Sequence, residues 1–428
     1  MYKFCLIDDI THDTFLTGHN KEHFMQTSTW GHIKSLGAWK YEIVGLYKDN
    51  NLVASTMLLK RKMPIINKLL YYAPRGFIID FNNKDLLQVF TTKLKEYLEN
   101  NNCCYMIVDP DIYLIEKDLN NNIISSNNTI VNDMINIGYI HRGYTQGFDG
   151  TQPRYTFRLP LRKSNEDLFN NYNKVTRQRI NKAKQQGVYA YQSDDIDTFY
   201  NIISDTAERD NFIESPKEYY ERVYKYLKEN NMGRLYHSKY DPNIEYKYTI
   251  NQIEEYDKEL IILNELYTKT QAKKTYDKIN NITKQITKLE SNLISIKDNI
   301  NKYPNGIVLS AGITMNTKNR AWTIFGGSLS ILKDKNSNYV IKDLEYKEFN
   351  EDNFEFVDLF GAIDENDTTN KLYGIHDFKK RFGGNYIEFI GEFNLVINKP
   401  MYHLWTKVFI KLHKLYKKLY VKFRLKKD

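Results

Sequence analysis

Apolar residues recur along this chain at two spacings, and the changes between them mark its elements. Steps of three and four mark helices; short apolar runs or alternation mark strands. Residues 25–40, MQTSTWGHIKSLGAWK, open a helix capped by Ser28 or Thr29, with Trp30, Ile33 and Leu36 on one face. EIVGLYKDNNLVASTMLLKRK follows as strand, turn at Asp49-Asn50-Asn51, and strand. A helix runs from Lys84 to Glu99, and CYMIVDPDI is a short buried strand ending at Asp109-Pro110. The Asn-rich residues 117–135 predict a loop or short helix. The order then restarts. RYTFRLPL (154–161) is a strand, and residues 164–187 form a helix pair or bent helix with Gly187 as its C-terminal cap. Residues 196–230 are helical, with a break at Pro216. LYHSKYDP enters, and NGIVLSAGITM (305–315) leaves, a second strand–turn–strand centre.

At that second turn roughly sixty residues are inserted. Tyr246, Thr249, Ile253, Tyr256, Leu260, Leu263 and Tyr267 step by three and four, and so do Ile279, Ile282, Ile286, Leu289, Leu293, Ile296 and Ile300. The two series differ in phase, so the chain reverses between about 268 and 276. Each limb of about 26 residues would extend about 39 Å at 1.5 Å per residue. The expectation is an antiparallel two-helix coiled-coil arm over 245–303 that ends at Pro304 and Gly306.

A length of 428 residues exceeds one ordinary core and predicts two domains, 1–153 and 154–400. No apolar run reaches the eighteen residues of a membrane span, and MYKFCLIDDITHD puts acids where a signal peptide needs apolar residues, so a cytoplasmic location is expected. Three cysteines, two of them adjacent, supply neither a disulfide framework nor a zinc spacing. Residues 401–428 carry nine Lys or Arg and one acid, which accounts for the whole formal charge of +8. In that tail Trp405, Val408, Leu412, Leu415, Leu419 and Phe423 share one helical face. A basic amphipathic helix of this kind can lie on an anionic membrane, pack on the body with its lysines solvated, or contact RNA.

Standard catalytic signatures are missing: the chain has no Walker A loop, GxGxxG, HExxH or GxSxG, and no metal site or cofactor is expected. Gly326-Gly327-Ser328 follows a strand (AWTIF) but lacks the Gln/Arg of a CoA pyrophosphate loop, which disfavours acetyl-CoA transfer. The strongest chemical signal is KLYGIHDFKKRFGGNYIEFIGEFNLVINKPMYHL (371–404), where Phe378, Phe382, Tyr386, Phe389 and Phe393 interleave with Lys379, Lys380 and Arg381 and a glycine pair that permits a sharp turn or a close approach.

This stretch resembles the C-terminal signature of the FemABX family, the aminoacyl-tRNA-dependent transferases of peptidoglycan bridges. Tyr373, Phe378, Lys379, Phe382, Gly383 and Gly384 match its first run, and Gly391, Glu392, Phe393, Asn398, Lys399, Pro400 and Tyr402 its second. QTSTWGHIKSLGAW, LYYAPRGFIID, VTRQRINKAKQQGV and TAERDNF with EYYERV are similar to further family segments. Two features depart: Phe77 replaces a usual proline, and the segment 328–357 has diverged where the family carries a helix with a Leu-Gln-Trp motif. The resemblance implies an α/β (α+β) fold of two tandem GNAT-like domains, with substrate in a cleft of the first near the interface. It implies transfer of an amino acid, glycine first, from charged tRNA to the lysine side-chain amine of the stem peptide on lipid II or a nucleotide-linked precursor. No nucleotide triphosphate is needed, because the ester is already activated.

Carried onto this chain, the resemblance makes Lys379, beside Phe378, a fixed cation for the oxyanion or the tRNA terminus. Lys34, Arg75 and Arg209 would bind the acceptor's phosphates, with Trp30, Trp39, Tyr219 and Tyr220 lining its site, and Asp109 would orient the amine. Each residue also has a plainer reading. Lys379 sits in a cationic run that is ordinarily solvated, Arg75 can satisfy buried carbonyls, the tryptophans can be core, and Asp109 can be a turn residue. A rival expectation for the whole chain is a non-catalytic coiled-coil adaptor at the membrane.

Overall fold

The computed structural model describes residues 1–428 except 147–149, 162–163 and 410–428, with 408–409 described by backbone alone. The first half runs β1 (Tyr2–Leu6), α1 (Asp9–Leu16), α2 (Ser28–Ser35), β2 (Lys40–Lys48), β3 (Asn51–Lys62), β4 (Leu69–Ala73), α3 (Lys84–Asn100) and β5 (Cys103–Val108). Then come β6 (Tyr113–Lys117), β7 (Ile123–Ser126), α4 (Asn128–Asn136), β8 (Tyr139–His141), β9 (Tyr155–Pro160), α5 (Asn165–Asn171) and α6 (Lys174–Gln185). The second half repeats the first: β10 (Val188–Ser193), α7 (Ile196–Asp210), α8 (Lys217–Glu229), β11 (Gly233–Tyr240), α9 (Pro242–Thr270), α10 (Lys273–Lys302), β12 (Ile307–Asn316), β13 (Arg320–Ser328), α11 (Ser337–Glu351) and β14 (Phe356–Asp358). Last are α12 (Tyr373–Lys380), β15 (Asn385–Phe389), β16 (Phe393–Val396) and α13 (Lys399–Leu404). Beyond α13's start and the turn that follows it, the expected tail helix lies outside the described residues.

The duplication inferred from element order is present in the hydrogen bonding. β1 to β4 pair antiparallel in sequence, and β4 then pairs parallel with β5. β10 to β13 do the same, and β13 pairs parallel with β14. A parallel pair needs a covering crossover, supplied by α3 in one half and α11 in the other. α11 occupies the stretch expected to have diverged; it is helical, and Tyr339, Val340, Ile341, Tyr346 and Phe349 are buried.

The sheets do not divide at residue 153. The seven-stranded sheet runs β1-β2-β3-β4-β5-β16-β8, and the nine-stranded sheet runs β10-β11-β12-β13-β14-β9-β15-β6-β7. The first half therefore lends β6 and β7 to the second sheet, and the end of the chain returns as β16 to the first. One apolar cluster spans both halves, joining Phe24, Trp30 and Met57 to Phe199, Tyr220 and Trp322. Three local expectations are corrected. Thr27, not Ser28 or Thr29, caps α2, because the Ser28 hydroxyl is bound to Asp13. The short helix expected within 117–135 is present as α4, but the stretch also holds β7, reached through a turn at Asn121 with φ 64°. Gly326-Gly327-Ser328 lies within β13 rather than after a strand.

The inserted limbs pack as a hairpin. Tyr246 lies against Lys297, Glu259 pairs with Lys278, and Tyr267 packs on Tyr276, an antiparallel series. Leu263, Ile282 and Ile286 are its buried residues near the tip. The chain reverses at Gln271, in the left-handed conformation, and Ala272.

Arg158, on β9, is the ion-pair centre of the joint between halves. Its Nη2 donates to both oxygens of Asp111 at 2.9 Å, its Nε to Asp358 at 2.8 Å, and its Nη1 to the Tyr113 hydroxyl at 2.6 Å. Arginine and both carboxylates are at most 6% exposed. Burial alone would raise the Asp111 carboxyl; the Arg158 guanidinium overrides it and holds the group well below the usual range. Replacing Arg158 by Met strands two buried carboxylates, so the expected cost is about 3–5 kcal/mol of unfolding free energy by denaturant titration. A loss under about 1 kcal/mol would remove this pair from the account of the joint.

Candidate functional site

Beyond Trp322, β13 continues while β14 ends at Asp358, so the parallel pair separates. A cleft of about 930 Å³ opens there, between β13, the loop after β14, the end of α7, α11 and α12. Its lining includes Arg179, Arg209, Lys333, Lys342, Lys379 and Arg381 but only two acids, Asp210 and Asp377. Low-dielectric walls concentrate the field of such an excess and favour an anionic occupant. Apolar floor comes from Ile324, Phe325, Leu359, Phe360 and Phe378.

The sequence builds Lys379 into this wall from α12. Phe378 anchors the helix, with its ring 4.9 Å from Tyr339 and 5.2 Å from Phe382. The glycine pair serves the chain itself. A Cβ at Gly383 would come 2.7 Å from the Asn171 carbonyl, and one at Gly384 would come 2.9 Å from that of Arg158. The close approach allowed is thus of β15's start against α5 and β9. Lys379 Nζ donates to the carbonyls of Phe360 and, at 2.6 Å, Gly361. Those two residues have φ of 47° and 71°, a left-handed twist that turns consecutive carbonyls toward one amine. Burial first and the nearby Lys342 second, opposed by Asp358, together lower the Lys379 pKa to about 7.

Arg209 lines the same cleft from the last turn of α7, donating to the Ser328 carbonyl at 2.6 Å and to Asp210. Lys34, Trp30, Tyr219 and Tyr220 stand at the seam between α2 and α8. Lys34 Nζ lies 4.6 Å from the centre of the Trp30 ring and 6.0 Å from that of Tyr219. No carboxylate is paired with Lys34 among the described residues, and burial lowers its pKa. Tyr220 is buried, 5.3 Å from Phe325, and Phe325 faces the cleft. Seam and cleft are therefore joined through one aromatic stack.

Arg75, Asp109 and Trp39 are elsewhere. Arg75 and Asp109 lie just past the ends of β4 and β5, the corresponding place in the first half, and here it is filled. The Arg75 guanidinium donates to the Pro153 carbonyl at 2.7 Å and stacks 4.2 Å from the Phe389 ring. Asp109 accepts from the Arg75 backbone N–H at 3.0 Å and the Tyr72 hydroxyl at 3.2 Å. The remaining gap, about 10 Å³, holds no more than about one water. Trp39 packs under the Arg61 guanidinium, 4.6 Å away. Sequence reading did not single out Lys342 and Lys333. Lys342 looks like half of an ordinary i,i+3 surface pair with Glu345; its only signal was a charged pair in a stretch rich in large apolar residues. Among the described residues no group of His, Cys, Asp and Glu is placed to hold a metal ion, and no helix is long and apolar enough to cross a membrane.

Residues 7–408 match the FemAB family. Proteins named lipid II:glycine glycyltransferase are 28% identical over 404 residues in Staphylococcus epidermidis and 27% identical over 401 residues in Staphylococcus haemolyticus, each match covering 93% of both chains. The crystal structure of FemX is similar with a TM-score of 0.79 and 25% identity, over 94% of this chain and 99% of that one.

The filled first-half site makes its own prediction. Burial raises the Asp109 pKa to about 6, against the opposing pull of Arg75. Folded Asp109 holds its proton where the unfolded chain has lost it, so stability falls as pH rises from about 4 to 6. Asp109→Asn removes that fall. Unfolding at pH 7 should show the variant more stable than the parent by up to about 3 kcal/mol, with the gain absent near pH 3.5. A variant less stable at pH 7 would contradict this placement.

Proposed function

The chain belongs to the FemAB family, and from that premise we propose that it is an enzyme that moves glycine from the 3′ ester of a charged tRNA to the lysine side-chain amine of the stem peptide on lipid II. The names of its relatives support glycine and lipid II. The tRNA donor rests on the chemistry. An aminoacyl ester is already activated, so transfer needs an oriented amine, a place for its proton and a stabilised oxyanion. A single-stranded RNA end is polyanionic with stackable bases, and the cleft offers six cations over an apolar floor.

The observation that carries the reading is Lys379: a lysine with two carbonyl acceptors and no carboxylate partner among the described residues, in the wall of a cleft of about 930 Å³. Its Nζ is the group that would meet the ester carbonyl. Lys34, on its aromatic seat, and Arg209 are proposed to take the acceptor's diphosphate, with Trp30, Tyr219 and Tyr220 shaping that approach. Arg75 and Asp109 are proposed as structural here, since the Arg75 guanidinium donates to the Pro153 carbonyl and Asp109 accepts from the Arg75 N–H and the Tyr72 hydroxyl. Contact of residues 401–428 with the membrane that carries lipid II is a further proposal from the tail's charge.

Labelled glycine on tRNA, incubated with the protein and lipid II, is expected to give RNase-sensitive incorporation. Lys379→Ala should lower the rate about 10²-fold or more while leaving the melting curve intact. A wild type that transfers nothing from a mixed charged-tRNA pool, to lipid II or to the nucleotide-linked precursor, would favour the adaptor reading.

A further inference from the structure

Two lysines share the cleft wall and are held in different ways. Lys379 Nζ has two carbonyl acceptors, Phe360 and Gly361. Two carbonyls use two N–H bonds, so a neutral amine in this seat keeps its lone pair for the cleft. Lys342, from α11, is tethered: its Nζ donates to Glu345 Oε2 at 2.7 Å. Glu345 is fully buried, and its other oxygen has no hydrogen-bond partner. A buried carboxylate left half-satisfied is costly and needs a reason. Gly312 on β12 lies against the carboxylate: a Cβ there would stand 3.1 Å from Glu345 Oε1 and 3.3 Å from the Phe325 carbonyl, so one of them would have to give by a few tenths of an ångström. The sequence thus gives up both a side chain and a satisfied carboxylate to keep one ammonium at this wall.

We infer that Lys342, tethered by Glu345, is a positioning residue whose charge keeps Lys379 available as the general base for the acceptor amine. This rests on the acyl transfer proposed above. The acceptor amine attacks the ester carbon, its lone pair forming the C–N bond as the carbonyl pair moves to oxygen. The proton then on nitrogen passes to Lys379 Nζ. The carbon–oxygen bond to the donor's 3′ oxygen breaks, and that oxygen takes the proton back from Lys379. Ester and amine become amide and alcohol, with no other reactant.

The charges around Lys379 favour this role. From α11 it faces Lys342, and burial and that lysine act together in lowering its pKa. Asp358 opposes them, but its oxygens are taken by Arg158, Thr156 and the Phe360 N–H. Asp377 on its own helix is bound to Arg381, and Asp210 to Arg209. Arg179 and Lys333, which also line the cleft, add only positive charge. A second cation beside a desolvated lysine is a known way to activate an amine at neutral pH.

Competitive labelling with acetic anhydride across pH, read at Lys379 by mass spectrometry, measures its titration without substrate. Single-turnover transfer against pH measures its use. The wild type should label with a midpoint near 7 and show an acid limb at the same pH. Lys342→Met removes the like charge and should raise both midpoints by about one unit; the neutral fraction then falls, so the rate at pH 7 drops about fivefold and recovers above pH 8. Lys342→Arg should restore both. The inference is overturned if wild-type Lys379 titrates as an ordinary lysine, whatever the fold of the variants. It is overturned equally if Lys342→Met moves the labelling but not the acid limb, or lowers the rate by one factor at every pH. A wild type that labels near 7 but transfers nothing sinks instead the acyl-transfer reading beneath it.

Discussion

One guanidinium, wedged between carboxylates from the two halves, fixes the geometry on which the site depends. Arg158 takes Asp111 from the loop after β5 and Asp358 from the end of β14. Its effect reaches Lys379 through three hydrogen bonds, the first being its own to Asp358. Asp358 Oδ1 accepts the Phe360 N–H at 2.9 Å, and the Phe360 and Gly361 carbonyls accept from Lys379. A buried charge with fixed partners is intolerant of displacement, because each lost contact leaves another charge unpaired. The twisted Phe360-Gly361 backbone is therefore held from both sides, and the lysine's orientation follows from the joint between halves.

A second buried pair ties the helical hairpin to the same cleft. Lys335 donates to both oxygens of Glu245 at 2.7 Å, and Tyr240 donates to Glu245 at 2.5 Å. Glu245 lies in the first turn of α9; Lys335 lies between Lys333 and Asn336, which line the cleft. Leu332 and Asn336, on either side of that short turn, are both left-handed. The rim of the cleft and the root of the arm are thus one packed unit, although the arm's tip stands far from it: a helix of 29 residues extends about 44 Å.

What was legible in the sequence was local or periodic. The arm announced itself because three–four spacing over two long limbs needs no knowledge of partners. The duplication was legible as an order of elements. The exchange of β6, β7 and β16 between sheets was not, because strand pairing over hundreds of residues is set by edges that no local pattern encodes. The β6–β7 hairpin was hidden for a related reason: its turn is Asn-rich, and Asn serves both loops and left-handed turn positions. Among single residues, Phe378 and Lys379, singled out by their run, both line the cleft. Arg75 behaves as the plainer reading held, satisfying a buried carbonyl. Lys342 escaped because a Lys–Glu pair at i,i+3 reads as solvated surface, and only the burial of α11 on every side makes it otherwise.

The duplicated frame offers the same opening twice, where a parallel pair separates, and the fold uses the two copies differently. In the first half, β4 and β5 part around Arg75 and Asp109, and the gap is sealed by Phe389 and Pro153, both contributed by chain beyond the first repeat. In the second, β13 and β14 part around Lys379 and the gap stays open. The strand exchange explains the asymmetry. β9 runs beside β14 and β15 beside β9, and Phe389 at the end of β15 and Pro153 just before β9 reach back over the first-half opening. Sealing one opening makes a rigid joint, and a rigid joint is what the general base inferred for the other needs if its lone pair is to meet the proton of an attacking amine within hydrogen-bond reach.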